Sequence, residues 1–333
     1  MERDKAVCDL CYRNCRIDDG CAGACGVRRF SQGVMEAHTY GKVSSLAVDP
    51  VEKKPFYHYR PGTGIFSVGS VGCNLHCTFC QNYAISQSSA GSKRTTYKTP
   101  EELVGLCRSQ KLDQIAFTYN EPTLWLEYIE DVADTDRELG IVLVTNGMMS
   151  RDAARSMCGL ARAMNIDVKS FRQGFYDSLC GGSLADVRRN CEDIYAEGVH
   201  LELTYLVIPG HNDDPDTLRD FCAWVRDQLS ENVPVHFTRF HPDYRMTDVP
   251  ITPEDTLDMC LRTAENNGLN YAYVGNILSD EGTDSYCPEC GAVLVKRTGY
   301  SIECVGLRGN RCACCKSKVN FVYRTGRPAS RRR

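Results

Sequence analysis

The sequence predicts an α/β protein built as a partial or nearly complete (β/α) barrel of the TIM type, with a cysteine-rich extension at each end. Short β-branched runs alternate with segments of helical periodicity from residue 65 to about residue 276, which is typical of βα units around a parallel sheet. Polar residues follow the ends of the apolar runs, as expected where barrel strands end. The chain also has 20 cysteines in 333 residues, many of them grouped at metal-ligand spacings.

Seven apolar runs are the predicted strands of this sheet. They are residues 65–71, 114–119, 141–145, 164–168, 201–207, 235–240 and 271–274. Two of the helices between them have a recognisable start, because Thr99-Pro100 and Thr252-Pro253 each place a capping residue before a proline of the first turn. The predicted division of the chain is an N-terminal cysteine-rich module over 1–35, a barrel over 60–280, a C-terminal zinc-ribbon or rubredoxin-like module over 285–323 and a disordered basic tail over 324–333.

The composition is that of an ordinary globular protein, with 42% hydrophobic and 25% charged residues. A net charge of -4 gives no general reason to expect nucleic acid as a partner. The first seven residues include four charged side chains in place of a signal-peptide core, and no run reaches the roughly 18 apolar residues of a membrane span. Together with the many cysteines, these features predict a protein of the reducing cytoplasm, without a membrane anchor.

The loop after the first predicted strand carries the most informative motif. Cys73, Cys77 and Cys80 are separated by three and then two residues. A 4Fe-4S cluster normally takes four thiolates, so a triplet without a fourth cysteine nearby leaves one iron open to a small molecule. Zinc fingers and bacterial ferredoxins use other spacings. The alternative is a loop that binds zinc with a distant fourth ligand.

This motif, with the aromatic Phe79 before its last cysteine, resembles the signature of the radical S-adenosylmethionine (SAM) enzymes. The resemblance implies that the three thiolates hold a 4Fe-4S cluster and that the amino and carboxylate groups of SAM chelate the open iron. Reductive cleavage of SAM would then give a 5'-deoxyadenosyl radical, which removes hydrogen from a substrate. Phe79 is expected to shield the cluster and pack near the adenine, although it could equally be an ordinary apolar plug.

Residues after the later strands supply the other predicted cofactor contacts. The resemblance implies that Asn120 and Glu121 hold the SAM ammonium, that Asn146 binds the ribose hydroxyls, and that Lys169 meets the cofactor carboxylate while Asp167 holds that lysine or a bound cation. The alternatives are a helix cap for Asn-Glu-Pro and a buried ion pair for Asp167 and Lys169.

In glycyl-radical activases the corresponding motif is of the Gly-Gly-Glu-Pro type, so Tyr119 and Asn120 stand here in place of two glycines. Further along the chain, the apolar wall around Ile208 is interpreted as an adenine contact. Three polar residues nearby are candidates for substrate binding or proton delivery, with a structural role as the alternative for each. They are His211, Arg239 and His241.

Two further cysteine sets have metal-ligand spacing, one at each end of the chain. The C-terminal set predicts a zinc or iron site, and its preferred ligands are Cys287, Cys290, Cys312 and Cys315, with Cys304 and Cys314 as spare thiols. The N-terminal set resembles a cluster or zinc module with ligands Cys8, Cys11, Cys15 and Cys25, and with Cys21 as a competitor for the fourth place. Thiolates alone do not decide between zinc and iron-sulfur, so structural zinc and a redox role both stay open.

Six cysteines fall singly in the barrel region and are interpreted as buried small hydrophobic residues. They are Cys107, Cys158, Cys180, Cys191, Cys222 and Cys260.

Taken together, the motifs resemble those of the AmmeMemoRadiSam-system radical SAM enzymes, relatives of the pyruvate formate-lyase activating enzymes. The segments that carry this resemblance are Cys-Asp-Leu-Cys, Cys-Gly-Val-Arg, Cys-Thr-Phe-Cys-Gln-Asn, Thr-Tyr-Asn-Glu-Pro, Val-Thr-Asn-Gly, Ile-Pro-Gly-His-Asn-Asp and His-Phe-Thr-Arg-Phe-His-Pro. It implies AMMECR-like and Memo-like companion proteins and a low-potential electron donor such as ferredoxin or flavodoxin. The alternative functions are a glycyl-radical enzyme activase and a non-catalytic metal-cluster, zinc-ribbon or electron-transfer protein.

Overall fold

The computed structural model of the protein describes residues 5–277, 282–299 and 301–323, so the predicted basic tail over 324–333 lies outside the described residues. The N-terminal module consists of two small antiparallel hairpins. Their strands are β1 (Lys5–Cys8), β2 (Cys15–Asp18), β3 (Arg28–Ser31) and β4 (Val34–Ala37). In the first hairpin Cys8 lies directly opposite Cys15, so the two side chains are on the same face.

An eight-stranded sheet forms the centre of the molecule. Between the N-terminal module and this sheet lies β5 (Lys42–Val43), which pairs with β8 (Thr96–Tyr97). The strands of the sheet are β6 (Ser45–Pro50), β7 (Gly64–Gly69), β9 (Gln114–Phe117), β10 (Gly140–Thr145), β11 (Ala161–Asp167), β12 (His200–Val207), β13 (Val235–Arg239) and β14 (Ala272–Gly275).

The sheet has the strand order β14-β13-β12-β11-β10-β9-β7-β6. The seven strands from β7 to β14 are parallel, and β6 is antiparallel to β7 at the edge. Within the described part of the chain no ladder joins β6 to β14, so the sheet is an open, partial barrel. The predicted α/β fold is therefore confirmed, and each predicted strand begins and ends within three residues of an observed one.

Helices cover the outside of the sheet. They are α1 (Tyr83–Ser86), α2 (Pro100–Ser109), α3 (Leu126–Thr135), α4 (Arg151–Leu160), α5 (Gln173–Phe175), α6 (Leu184–Ala196), α7 (Pro215–Trp224) and α8 (Glu254–Asn266), with 3-10 turns at Val51–Lys53 and Pro122–Trp125 and π-helical turns at Tyr176–Cys180 and Val225–Leu229. None of the helices within the described ranges combines the length and hydrophobicity that crossing a bilayer requires.

The two predicted helix starts differ in detail. Thr99 caps α2 with its side chain, and Glu102 completes a capping box, as the sequence indicates. The second helix, α8, begins one residue later than expected, with Pro253 in the cap position. Its Thr252 hydroxyl instead donates to the Val207 carbonyl (2.6 Å) and accepts the Phe240 amide (2.9 Å). This threonine therefore joins the ends of β12 and β13 and does not cap the helix.

The sheet begins earlier in the chain than the predicted barrel, because β6 lies before residue 60. Burial on both faces explains the near-continuous apolar character of the inner strands: all four residues of β9 and six of the seven in β11 are buried. The edge strand β6 keeps Leu46 and Val48 exposed.

The C-terminal module is built from five short strands. They are β15 (Ser285–Tyr286), β16 (Val293–Thr298), β17 (Ser301–Glu303), β18 (Leu307–Arg308) and β19 (Arg311–Cys312). The module docks on the segment 57–60, where His58 stacks on Phe321 with ring centroids 3.9 Å apart and the Val322 amide donates to the His58 carbonyl (2.9 Å). Buried Arg297 adds a hydrogen bond to the Tyr57 carbonyl (2.8 Å).

Candidate active site

A cavity of about 490 Å³ lies at the carboxyl ends of the parallel strands. Cys73, Cys77 and Cys80 line one side of it, in the loop that follows β7. Residues at or near the ends of β9 to β14 line much of the remainder, as the barrel fold leads one to expect, and residues between 52 and 57 also contribute. The cavity therefore brings together most of the predicted cofactor residues, namely the three cysteines with Phe79, Asn120, Glu121, Asn146, Asp167 and Lys169.

The cysteine loop has little regular structure and is held by residues from other parts of the chain. Asn120 accepts the Ser70 amide (3.1 Å) and donates to the Gly72 carbonyl (3.0 Å), which fixes the loop's start. The π-helical turn Tyr176–Cys180 holds its middle, because its last two carbonyls accept the amides of Thr78 (2.9 Å) and His76 (2.8 Å).

The surroundings of the three thiols suit thiolate ligands. Cys73 accepts hydrogen bonds from the Leu75 amide (3.4 Å) and the Asn146 side chain (3.5 Å), and Cys80 lies 3.0 Å from the Ser86 hydroxyl. Lys169 acts electrostatically on Cys77 and Cys80 and favours their ionised form. Burial raises the pKa of Cys73 and of Cys80, so a metal must displace protons to bind here. Three thiols with these donors and this cation fit an iron-sulfur cluster.

Cys180 differs from its sequence-based interpretation as a mere small hydrophobic residue. It is 1% exposed, as expected, but its thiol lies beside Cys77, and this neighbour and burial raise the pKa of Cys77. Among the described residues that line the cavity Cys180 is absent, so it lies behind Cys77. The sequence offered no signal for this contact, because the two cysteines are far apart along the chain.

Glu121 follows β9 and joins it to the end of β10 through hydrogen bonds. Its carboxylate accepts four hydrogen bonds, from the amide and hydroxyl of Thr123 (3.0 and 2.6 Å), the Thr145 hydroxyl (2.7 Å) and the Asn146 amide (2.9 Å). Three of these reach Oε1, and Oε2 accepts only the Asn146 amide. Burial raises the pKa of Glu121. The predicted contact with the SAM ammonium stays a prediction, and Oε2 is the oxygen with capacity for it.

Asn146 is also engaged with the cysteine loop. Its side chain donates to Asn74 Oδ1 (2.9 Å) as well as to Cys73, and it accepts the Met148 amide (2.9 Å). The predicted contact with ribose therefore stays a prediction for a side chain that already has partners. Lys169 and Asp167 form an ion pair of 2.6 Å at the cavity wall. The Asp167 carboxylate raises the pKa of Lys169 even though burial opposes this, so the lysine is charged at neutral pH.

The other predicted site residues divide into two groups. Phe79 is 3% exposed, lines the cavity and packs on Phe175 at 5.7 Å between ring centroids. Four residues are not among the described residues that line the cavity. They are Ile208, which is fully buried, His211 and His241, which are exposed, and Arg239, which donates to the Thr252 carbonyl (2.8 Å).

The sequence analysis missed several residues on the side of the cavity away from the cysteines. His236 is 2% exposed, lines the cavity and pairs with Glu202 at 2.7 Å. Tyr57 and Lys54 also line it. The usable signal for His236 was its place on a predicted strand, where a histidine is unusual among apolar residues.

Tyr119, in the position of a motif glycine, has a backbone φ of 73°, which is the left-handed region that glycine favours. Its side chain holds this conformation through local contacts. The hydroxyl donates to Asp49 (3.1 Å), and the Lys54 ammonium lies 4.9 Å from the ring centre. The substitution of glycine therefore leaves the glycine-like backbone intact.

The C-terminal cysteines converge as predicted. Cys287, Cys290, Cys312 and Cys315 have sulfur atoms that all lie within 4.8 Å of one another. Two of the distances are 3.6 Å and 3.8 Å, and a tetrahedral zinc ion with Zn–S bonds of about 2.3 Å separates its sulfurs by about 3.8 Å. The set could therefore hold a single metal ion. The spare thiols Cys304 and Cys314 are exposed.

The four predicted N-terminal ligands also lie near one another. Cys8 and Cys25 act electrostatically on Cys11, and Cys8 and Cys15 act on Cys25. Burial raises the pKa of Cys11 to about 11. Their competitor Cys21 is exposed.

Comparison with known proteins agrees with this geometry. The profile of the radical SAM superfamily matches residues 67–222. An uncharacterized protein of Methanocaldococcus jannaschii, MJ0808, is 39% identical over 326 residues, which are 97% of each chain. GTP 3',8-cyclase of Haemophilus influenzae is 24% identical over 55% of this chain and 54% of its own. A radical SAM methyltransferase structure from Sphaerobacter thermophilus shares the fold, with 16% identity and a TM-score of 0.51 over 65% of this chain and 67% of its own.

Proposed function

The chain belongs to the radical SAM superfamily, and we propose that it is an enzyme that cleaves SAM reductively and uses the resulting radical to abstract hydrogen from a substrate. The observation that carries the proposal is the cavity itself, which has three thiols on one wall and the charged and amide side chains of four strand ends on the others. Within the described residues, no fourth thiol lines this cavity.

Cys73, Cys77 and Cys80 would hold the cluster, and Oε2 of Glu121 and the ammonium of Lys169 would receive the amino and carboxylate groups of SAM. A 4Fe-4S cluster bound there supplies the electron that breaks the sulfonium bond of SAM to the ribose carbon. The chain's own contribution is to position the two cofactors. The hydrogen bond between Glu121 and the Asn146 amide fixes the cavity at the ends of β9 and β10, and the ion pair with Asp167 holds Lys169 in place.

The substrate would occupy the side of the cavity away from the cysteines. That side is lined by Tyr57, Thr204, His236 and Thr238, all of which have hydrogen-bonding groups. A substrate with several polar groups fits these walls better than a hydrocarbon does. The hydrogen bond with Glu202 fixes the His236 ring, so this histidine can orient a polar group of the substrate.

The test is SAM cleavage by the anaerobically reconstituted protein with dithionite as reductant. The expected product is 5'-deoxyadenosine together with methionine, in amounts that depend on the cluster. Cys77→Ala should abolish the release, because it removes one of the three ligands.

Cys180→Ala is the matched control, since it makes the same change to a neighbouring sulfur that does not line the cavity. This variant should retain the cluster and the activity. Continued release of 5'-deoxyadenosine from Cys77→Ala would contradict the proposed site.

The proposal also covers the cellular compartment, the electron donor and the protein partners. We propose that the enzyme acts in the cytoplasm, takes electrons from a ferredoxin or flavodoxin, and works with AMMECR-like and Memo-like proteins as an AmmeMemoRadiSam-system member. Incubation with deuterated candidate substrates and these two companion proteins tests the idea, because abstraction transfers deuterium to 5'-deoxyadenosine. If no small-molecule substrate transfers deuterium to 5'-deoxyadenosine, but a protein partner with deuterated glycine does, the result would favour an activase instead.

A further inference from the structure

We propose that Cys8, Cys11, Cys15 and Cys25 hold a second iron-sulfur cluster, placed directly beside the SAM-site cysteines Cys73, Cys77 and Cys80. The role of the second cluster as a source of electrons rests on the proposed function, but its existence does not. The two points that support it are the contacts between the two cysteine sets and the spacing of the N-terminal sulfurs.

One buried side chain connects the two sets. Asn74 is fully buried and lies next to Cys73 in the chain, and its side chain lies beside the thiol of Cys11. Oδ1 of Asn74 accepts a hydrogen bond from the Asn146 side chain (2.9 Å), and the same Asn146 nitrogen also donates to Cys73 Sγ (3.5 Å). Sulfur atoms of the two sets are therefore joined through one or two amide side chains.

A second contact lies on the other side of Cys73. Gly72 has a φ of 88°, and a β-carbon on it would lie 3.0 Å from the Cys25 carbonyl oxygen and 2.5 Å from a methyl group of Val27. Only a glycine allows the two loops to approach so closely. The backbone of Cys25 is therefore packed against Gly72, the residue before Cys73.

The N-terminal module is also fastened to the site by hydrogen bonds. Arg13 donates to the carbonyls of Asn74 (2.8 Å) and Gly181 (2.7 Å), and the Ser150 amide donates to the Leu10 carbonyl (3.0 Å). These contacts fix the module on the cysteine loop, on the π-helical turn behind Cys77 and on the segment after β10.

The N-terminal sulfurs are spaced more widely than the ligands of a single tetrahedral ion. Of the described cysteine sets, the C-terminal four are the ones whose sulfurs all lie within 4.8 Å, as a single tetrahedral ion requires at a spacing of about 3.8 Å. The N-terminal four interact electrostatically but are not so compact. The SAM-site three are likewise outside this limit. A cluster binds each thiolate at a separate iron and so spreads its ligands more widely than a single ion does.

The donors around the N-terminal sulfurs are those that stabilise cluster thiolates. Cys25 accepts the Arg28 amide (3.4 Å), and the Arg13 amide lies beside Cys11. The Arg28 guanidinium, from a side chain that is 5% exposed, lies beside Cys8 and pairs with Glu127 on α3 at 2.7 Å. Its Nε has no hydrogen-bond partner among the described atoms. Hydrogen bonds and charge at the sulfurs tune the reduction potential of such clusters.

In this arrangement the second cluster is an entry point for single electrons. Cys8, Cys11, Cys15 and Cys25 would hold this cluster beside the SAM-site cysteines, and a cluster bound there would supply one-electron transfer from a reduced ferredoxin or flavodoxin to the SAM site. No bond of the protein forms or breaks in this transfer, and the donor protein is the reductant.

The decisive sample is a variant in which Cys73, Cys77 and Cys80 are all replaced by alanine, because it leaves the N-terminal set untouched. After anaerobic reconstitution, about four iron and four acid-labile sulfide per chain should remain. Sulfide is the key measurement, since a single iron or zinc ion at the C-terminal set brings none. Adding Cys11→Ser and Cys15→Ser should remove all of the sulfide, whereas Cys21→Ser, the matched control, should remove none.

Electron paramagnetic resonance gives a second readout that does not depend on activity. In the dithionite-reduced wild-type protein the signals of two neighbouring clusters should be broadened or split by magnetic coupling, and removal of either cysteine set should leave a simple signal. A triple-alanine variant with zinc and no sulfide would overturn the second cluster, even if the wild-type protein cleaves SAM. Sulfide retained in that variant, together with a wild-type protein that does not cleave SAM, would overturn the proposed function and leave the second cluster standing.

Discussion

Replacing Glu202 with glutamine tests how the base of the barrel is held together. This residue on β12 is fully buried, and its carboxylate accepts five hydrogen bonds. The backbone amides of Tyr57, His58 and Tyr59 donate three of them at 2.9 to 3.1 Å, and His200 and His236 donate the others at 2.9 and 2.7 Å. Glu202 therefore fixes the segment on which the C-terminal module docks.

The magnitude follows from the donors that glutamine cannot satisfy. A glutamine oxygen at Oε1 keeps the partners of that atom, but its amide group then faces the Tyr57 amide and His236 Nε2, which both lose their acceptor. A buried unsatisfied amide costs about 1–3 kcal/mol, and the remaining bonds lose their charge assistance. We expect a total loss of about 3–5 kcal/mol, the sum of two unsatisfied donors and the weakened remaining bonds. At about 2 °C per kcal/mol, this lowers Tm by roughly 6–10 °C.

The assay is thermal unfolding of the variant, with Glu265→Gln on the exposed face of α8 as the matched control, expected to change stability by less than about 0.5 kcal/mol. Burial alone would raise the pKa of Glu202, but the hydrogen bonds from His200 and His236 outweigh it and hold the pKa well below its ordinary value. The stabilisation is therefore complete above about pH 4.3, the ordinary value for glutamate, and is lost as the pH falls further toward the folded-state pKa. A Tm for Glu202→Gln within about 2 °C of the wild type at pH 7 would refute the reasoning.

Three further changes test other parts of the structure. Lys169→Met removes the cation beside Cys77 and Cys80, so the reconstituted protein should hold less iron at the SAM site and bind SAM more weakly, as measured by iron content and isothermal titration; unchanged SAM affinity would contradict the predicted carboxylate contact. Cys290→Ser, or a chelator that removes metal from the C-terminal set, should lower Tm by several degrees and make that module sensitive to protease. The reason is that metal binding provides folding free energy. The control Cys314→Ser should have neither effect. Tyr119→Phe removes the hydrogen bond to Asp49 and should cost about 0.5–1.5 kcal/mol in urea unfolding; a neutral result would mean that the ring contact with Lys54 alone maintains the left-handed backbone.

The parts of the fold that could be predicted from sequence are those set by local patterning. The inner strands are apolar on both faces, so their runs are visible in the sequence. Cys73, Cys77 and Cys80 are likewise close in the chain, and their spacing alone predicts a cluster with one open iron. The edge strand β6 was missed because it is antiparallel, lies before the first βα unit, and has one exposed face that makes it look like a loop.

The contacts that were missed all join residues that are far apart in sequence. Cys180 meets Cys77 only because the π-helical turn folds back on the cysteine loop. Glu202 and His236 sit on neighbouring strands, and nothing in either strand alone indicates an ion pair. For Glu121 the sequence indicated a functional carboxylate but not its hydrogen-bond partners. Its bonds with Thr145 and Asn146 depend on the alignment of β9 and β10, which the sequence does not show.

The N-terminal module is part of the site and not an appendage, and this follows from how the cysteine loop is supported. A loop without strand or helix cannot fix three ligands by its own backbone, so it depends on the elements around it. Those elements are the end of β9 through Asn120, the π-helical turn through its carbonyls, and the N-terminal module through Arg13 and the close approach at Gly72. Removal of the module would leave one side of the loop unsupported. Metal binding at the N-terminal cysteines should therefore order the SAM site, and loss of that metal should weaken cluster retention at Cys73, Cys77 and Cys80.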